Sequence, residues 1–239
     1  MDDRESLDLA DNPLPPAGAP QEAIHQWGEL RSIYGGVPEQ GAVSDDYART
    51  LIHGYYACVS YTDAMVGELL DELDRLVLRD DTLVILWGDH GWQLGEPSLW
   101  CKHALFKTSL NAPLIISAPG YKAGQRSTSL VEFVDIYPTL CELAGVELPT
   151  HLQGKSLVPI LEDTSTSIKD AVVSRYHSGD AVKMESYHYA EWGNGAQMLD
   201  DQSRGQDDNL NGADNPEYAE VMDGLVYASP SPRDGRHGR

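Results

Sequence analysis

The stretch from Asp81 to Lys102, DTLVILWGDHGWQLGEPSLWCK, constrains this chain more than any other. Leu83-Val84-Ile85-Leu86-Trp87 is a continuous apolar run, short for a helix and right for a strand buried on both faces. Asp80-Asp81 stand before it and Gly88 ends it. Such a strand belongs to a parallel α/β sheet, where ligands bind outside the carboxyl ends of the strands. Asp89 and His90 fall at that end, with Gly91 behind them. An adjacent carboxylate and imidazole there can share one metal ion. The same pair can also do no more than cap a turn. The flanking glycines let the backbone turn sharply and come close to an ion or oxyanion.

The elements around this run follow in order. Residues 1–43 carry much proline and glycine and read as an ordered surface excursion with a short helix around Glu22–Leu30. Ser44-Asp45-Asp46 is a helix start. From there Leu51, Tyr55, Val59, Thr62, Val66, Leu69, Leu73 and Leu76 recur every three or four residues and form one apolar stripe. The helix is expected to reach about Leu78, with Gly54 or Gly67 as places to break, and to act as the crossover into the strand at 83–87. Glu68, Asp71, Glu72, Asp74 and Arg75 make its solvated face.

Pro113–Gly120 reads as a second buried strand closed by a Pro-Gly turn. Leu130–Ala144 reads as a helix with Gly145 just past its end. Val158–Leu161 is a short apolar run. The polar stretch Glu162–Lys169 suggests a boundary between a catalytic α/β part, residues 1–164, and a small α+β part, residues 165–239. In the latter, Ala171–Arg175 and Val182–Trp192 are expected as strands, with Gln197–Leu199 as a further one and Pro216–Val226 as a closing helix. The tail Pro230–Arg239 should be mobile.

Charge narrows the partners. With 17 Lys+Arg against 38 Asp+Glu the net charge is −21, which argues against nucleic acid and against an anionic membrane surface. An anionic substrate stays open, because a metal ion and one lysine can set a local positive field. No apolar run reaches the roughly 18 residues that span a bilayer. The acidic N-terminus has no apolar core and is no signal peptide. Three cysteines, Cys58, Cys101 and Cys141, are too few for a disulfide framework, and Cys58 and Cys141 fall in apolar contexts that suggest buried thiols.

Several motifs in order resemble the sulfatase family, nearest to its iduronate-2-sulfatase-like branch. They are Gly88–Glu96, Trp100-Cys101-Lys102, Pro113–Ile116, His53–Asp63, Val134–Leu140 and Gln153–Leu157. The resemblance covers about residues 10–200. It implies an alkaline-phosphatase-type α/β sandwich, here in part, with a small C-terminal sheet-plus-helix subdomain. It implies hydrolysis of a sulfate ester on a sulfated small molecule or glycan. In that chemistry a cysteine oxidised to formylglycine attacks sulfur beside a Ca2+ ion. By position Asp89 and His90 would be metal ligands and Lys102 would contact the sulfate, with His103 its neighbour. A lysine and a hard cation suit charge that develops on sulfuryl oxygens. Imidazole is less usual than oxygen at calcium, so the metal's identity stays open. Lys102 can also be a surface lysine with its stem on Trp100. A periplasmic, secreted or lysosomal location goes with the family.

The departures are as informative. The family nucleophile lies in a Cys-x-Pro-x-Arg or Ser-x-Pro-x-Arg motif, and none of Cys58, Cys101 or Cys141 is followed by that pattern, so formylglycine is not expected here. The family's N-terminal aspartate pair and its Lys-x-His segment are also absent. The chain thus reads as the C-terminal half of such an enzyme, inactive alone. Two other readings remain. One is a phosphatase or phosphodiesterase of the same superfamily, drawing on His151, His177 or His188. The other is a non-catalytic module that keeps half a metal site.

Overall fold

The computed structural model describes residues 3–205 and 209–228, so the tail Pro230–Arg239 lies outside the described residues. The first 43 residues lie over the rest as short pieces. The helix expected at 22–30 is divided into a 3₁₀ turn, Gln21–Ala23, and α1, Gly28–Ile33. Trp27 separates them with a left-handed φ of 56°. Its indole Nε1 donates to the Ser98 carbonyl at 2.8 Å, which fixes α1 against a distant loop.

Helix α2 runs Asp45–Arg75 without interruption. Ser44 caps it, its Oγ accepting from the Tyr47 N–H at 3.2 Å, and Asp45 and Asp46 oppose the helix dipole. Neither Gly54 nor Gly67 breaks it; a Cβ at either would meet nothing within 4 Å. Arg75 forks onto Glu72 and Arg79 onto Asp74 near its end. Only Ala48 and Ile52 of this helix are buried, whereas Tyr55, Val59, Leu69 and Leu76 of the apolar stripe are exposed. Cys58 is exposed too, contrary to expectation, because it sits on this uncovered length.

The strand at the centre of the sequence is β1, Val84–Trp87. After it come β2, Gln93–Leu94, β3, Trp100–Cys101, helix α3, Lys107–Leu110, and β4, Leu114–Ser117. Here the structure departs from the expected buried parallel strand. Among the described residues β1 pairs with β4 alone, antiparallel, with Val84 opposite Ser117 and Trp87 opposite Leu114. Leu86 and Trp87 are 38% and 49% exposed. An apolar run signals that both faces want cover, and these residues supply only part of it. Asp89 and His90 do follow its carboxyl end. β2 and β3 form a separate hairpin, with Gln93 opposite Cys101.

Helix α4 covers Ile136–Leu143, later than the sequence pattern implies, because Glu132 is extended and Phe133–Asp135 make a 3₁₀ turn. Gly145 ends it with φ 65°, as its position predicts. Val158–Glu162 form α5, with Pro159 in the first turn. Two matched motifs prove to be one clasp. Asp135 is fully buried and accepts from the N–H of Glu132 and of Lys155, both at 2.8 Å. Thr139 Oγ1 accepts from the Leu157 N–H at 2.8 Å. Gly154 lies so close to the Val134 carbonyl that a Cβ would stand 1.9 Å from it.

Beyond residue 170 lies an antiparallel meander, β5 Val172–Tyr176, β6 Gly179–Lys183, β7 Tyr187–Trp192 and β8 Gln197–Asp201, in that order across the sheet. The single strand expected at 182–192 is two. Met184–Ser186 turn the chain, with Met184 N–H donating to the Tyr187 carbonyl at 2.9 Å. The period of two sorts the faces. Val182, Tyr189 and Leu199 pack on Tyr218 and on Leu225 of α6, Ala219–Ala228. Ala181, Ala190, Trp192 and Met198 pack on Leu99, Ala104, Leu105 and Phe106. The sheet therefore shares a core with the segment that carries Lys102.

Candidate functional site

The β2–β3 hairpin brings the expected site residues together. His90 precedes β2 and Lys102 follows β3, so antiparallel pairing turns a sequence separation into a neighbourhood. Between them stands Trp92. His90 stacks on its ring at 5.9 Å and Tyr55 of α2 at 6.1 Å. The Lys102 ammonium lies 5.4 Å from the same ring. The Lys102 ammonium is thus placed on Trp92, and Trp100 is buried.

Asp89 and His90 sit side by side, with Oδ2 3.4 Å from Nε2. The Asp89 side chain is 87% exposed. His90 Nδ1 lies 2.8 Å from the Gly91 carbonyl oxygen, so the Nδ1–H tautomer donates there and leaves the Nε2 lone pair facing a carboxylate. Two acceptors in that arrangement call for a cation between or beside them, a proton or a metal ion. A backbone carbonyl on the far ring nitrogen is also how metal-binding histidines are commonly oriented. The fit to a metal is partial: among the described residues no group of three or more His, Cys, Asp or Glu side chains is arranged to hold an ion. Asp135 and Glu96 do not complete it. Asp135 is engaged as described above, and Glu96 accepts from the Leu94 N–H within the hairpin.

Gly91 has a different reason from the one its position suggests. A Cβ there would stand 2.0 Å from the Thr108 carbonyl oxygen, and its N–H donates to the Ser109 carbonyl at 2.8 Å. It seats the loop against α3.

Glu29 joins the site unannounced by any pattern in the sequence. This α1 residue, its side chain only 15% exposed, meets Lys102 Nζ at 3.2 Å through Oε1 and His103 Nε2 at 3.3 Å through Oε2. His103 in turn lies against Tyr176 of β5 at 5.6 Å, and Tyr176 meets His177 edge-on at 4.4 Å. His25, whose Nδ1 accepts from the Trp27 N–H, completes the group. Burial lowers the pKa of His25, the nearby His103 adds to that, and Glu29 opposes it. Burial raises that of Tyr176, with the Glu29 charge behind it. Cys101, buried beneath and next to Glu29, is pushed up to about 11 and is no nucleophile at neutral pH. No motif marks Glu29, since a short helix of six residues leaves no periodicity to read.

Comparison with known proteins gives the context. The sulfatase family model matches residues 19–146. A sulfatase of Formosa agariphila is 31% identical over 191 residues, covering 79% of this chain and 38% of that protein. Human iduronate 2-sulfatase is 34% identical over 176 residues, 61% of this chain and 32% of that one. Among solved structures, a phosphonate monoester hydrolase from Silicibacter pomeroyi superposes with a TM-score of 0.82 at 22% identity, covering 95% of this chain and 50% of that one. The last likeness carries the fold, an alkaline-phosphatase-like one of which this chain spans about half. It spans about a third of the two curated relatives. The family match covers more than half of these residues, including the strand, the Asp-His pair and Lys102, and on it this chain belongs to the sulfatase family.

Proposed function

We propose that these residues supply part of the active site of a sulfuric ester hydrolase acting on a sulfated small molecule or sulfated glycan. Asp89 and His90 are two ligands of one Ca2+ ion, and Lys102 contacts the sulfate. The observation that carries the reading is the convergence of Lys102 and of His90, beside Asp89, on the one Trp92 ring. The 3.4 Å between Asp89 Oδ2 and His90 Nε2 suits two neighbouring donors on one ion, which stand about 3.3–3.6 Å apart when each is near 2.4 Å from it. When bound, the ion stabilises negative charge on sulfuryl oxygens. Lys102 adds a fixed ammonium to the same charge. Trp92 orients both side chains and keeps one flank apolar. The nucleophile comes from outside these 239 residues, as no cysteine here precedes Pro and Arg in the needed pattern. A periplasmic, secreted or lysosomal location goes with this reading, as the sulfatase relatives suggest.

The three histidines that a phosphatase or phosphodiesterase would draw on form no metal group among the described residues. His188 is buried within β7, His177 turns onto Tyr176, and His151 is exposed. The test is complementation. This chain is joined behind the nucleophile-bearing half of the Formosa agariphila sulfatase and assayed on an aryl sulfate with calcium. Hydrolysis is expected, abolished by Asp89→Asn or His90→Ala and lowered ~10²-fold by Lys102→Ala. Turnover undisturbed by all three changes, or a folded chimera with no activity at all, would favour the non-catalytic module.

A further inference from the structure

Lys102 and His103 are consecutive, and consecutive side chains on extended backbone point apart. Here they converge. Cys101 adopts a left-handed φ of 70°, and the Ala104 N–H closes a tight turn onto the Lys102 carbonyl at 2.9 Å. A left-handed non-glycine residue is uncommon, and such strain gathers at functional sites. Both side chains converge on the Glu29 carboxylate, one nitrogen on each oxygen.

The helix that carries Glu29 is held independently of Lys102 and His103. Trp27 begins α1 in a left-handed conformation, and its indole is bonded to Ser98 in the β2–β3 turn. Arg31 covers the Trp27 ring at 4.7 Å. Leu30 is buried in the cluster that contains Trp100 and Cys101. The backbone of Glu29 is thus fixed beside Lys102 and His103. A planar anion presenting two oxygens to an ammonium and an imidazole does what two oxygens of a sulfate would do.

We propose that Glu29 is a resident counter-anion that occupies the anion position of Lys102 and His103 and so weakens their hold on free sulfate. The inference rests on the reading of Lys102 as the sulfate contact. Its consequence for a sulfate ester hydrolase is selective. A free anion must compete with Glu29 for the same ammonium. An ester bound through the rest of its structure is already in place and needs only part of that ammonium's charge. Inorganic sulfate, which every turnover produces, would therefore leave readily.

The experiment uses residues 1–239 at one fixed pH, with sodium sulfate as the probe and sodium chloride at equal ionic strength as control. Binding is followed by titration calorimetry, and folding by circular dichroism. Glu29→Gln keeps the shape and removes the charge. It is expected to tighten sulfate binding at least ~10-fold, since it deletes a like charge within contact distance of the bound anion. Adding Lys102→Ala to Glu29→Gln should cancel that gain. Glu29→Asp, which keeps the charge, should bind sulfate no tighter than the natural chain. A merely structural Glu29 would not yield a variant that binds better. Folded Glu29→Gln protein with unchanged or weaker sulfate binding would overturn the proposal. If Lys102→Ala in the natural background still weakens sulfate binding in that case, the assignment of Lys102 stands without it. If Glu29→Gln tightens binding equally with and without Lys102, Lys102 is not the sulfate contact, and the shared anion position proposed here falls with it.

Discussion

The Lys169 ammonium stands 2.7 Å from both carboxylate oxygens of the fully buried Asp135. Glu132 adds a third oxygen at 2.6 Å. Burial works against the charge on Lys169, but its hydrogen bonds to Asp135 and Glu132 outweigh that and leave its pKa raised. The pair ties the α4 clasp to the chain entering β5, where the Val173 N–H donates to Glu132 Oε1 at 3.1 Å. Lys169→Met would leave two acids without their cation, and Asp135 has no water to turn to. A loss of ~3–5 kcal/mol is expected in urea unfolding. A change under about 1 kcal/mol would mean that backbone donors alone satisfy Asp135.

Two glycines should respond in opposite directions. At Gly154 a Cβ meets the Val134 carbonyl oxygen at 1.9 Å, and the clasp cannot yield without moving Asp135. Gly154→Ala is expected to cost ~1–3 kcal/mol or more. Gly67 lies inside α2 with nothing near its would-be Cβ. Gly67→Ala should stabilise by ~0.5–1 kcal/mol through helix propensity. Thermal melts of the two variants side by side decide this, and equal shifts would contradict it.

His188 gives the fold an acid sensitivity. It is buried in β7, and among the described residues neither ring nitrogen has a hydrogen-bond partner. Burial first, and then the charges of Lys183 and Lys107, bring its pKa down to about 4 from the ordinary 6.5. The unfolded chain takes up this proton below pH 6.5 and the folded one only near 4. The stability is therefore whole above 6.5 and is lost as the pH falls toward 4, by about 3 kcal/mol in all. His188→Leu should flatten that part of the profile relative to the natural chain. Parallel profiles for the two proteins over this range would refute the assignment.

By itself the chain should be catalytically silent and a weak metal binder. Asp89 and His90 offer two donors, whereas calcium takes about six to eight oxygens, so water would hold most positions. Calcium titration calorimetry and an aryl-sulfate assay on residues 1–239 test this. Micromolar binding together with calcium-dependent hydrolysis would show that residues read here as structural complete the site.

Association is the other expected property of the isolated chain. Tyr56, Val59 and Leu69 on α2 and Leu86, Trp87 and Ile115 on the β1–β4 ribbon are all exposed. Among the described residues β1 has one partner and a free edge. Light scattering should report self-association at micromolar concentration, and Trp87→Glu should reduce it. A monodisperse monomer for the natural chain would contradict this.

The sequence determined what is local. Ser44 with two acids after it fixed the start of α2, Gly145 the end of α4, and alternation the faces of β7 and β8. The Asp89–His90 pair was legible because it follows an apolar run and needs no partner from afar. The turn at Met184–Ser186 was missed because no glycine or proline marks it. What only the tertiary structure decided is what depends on cover and on distant pairing. An apolar run wants neighbours, but periodicity does not say which ones, and β1 paired antiparallel with β4. Lys102 reads as a lone basic residue until the β2–β3 hairpin lays it on Trp92 and α1 brings Glu29 to it. Glu29 and Lys102 are 73 positions apart in the chain, and only packing around Trp27 and Trp100 brings their charges within contact.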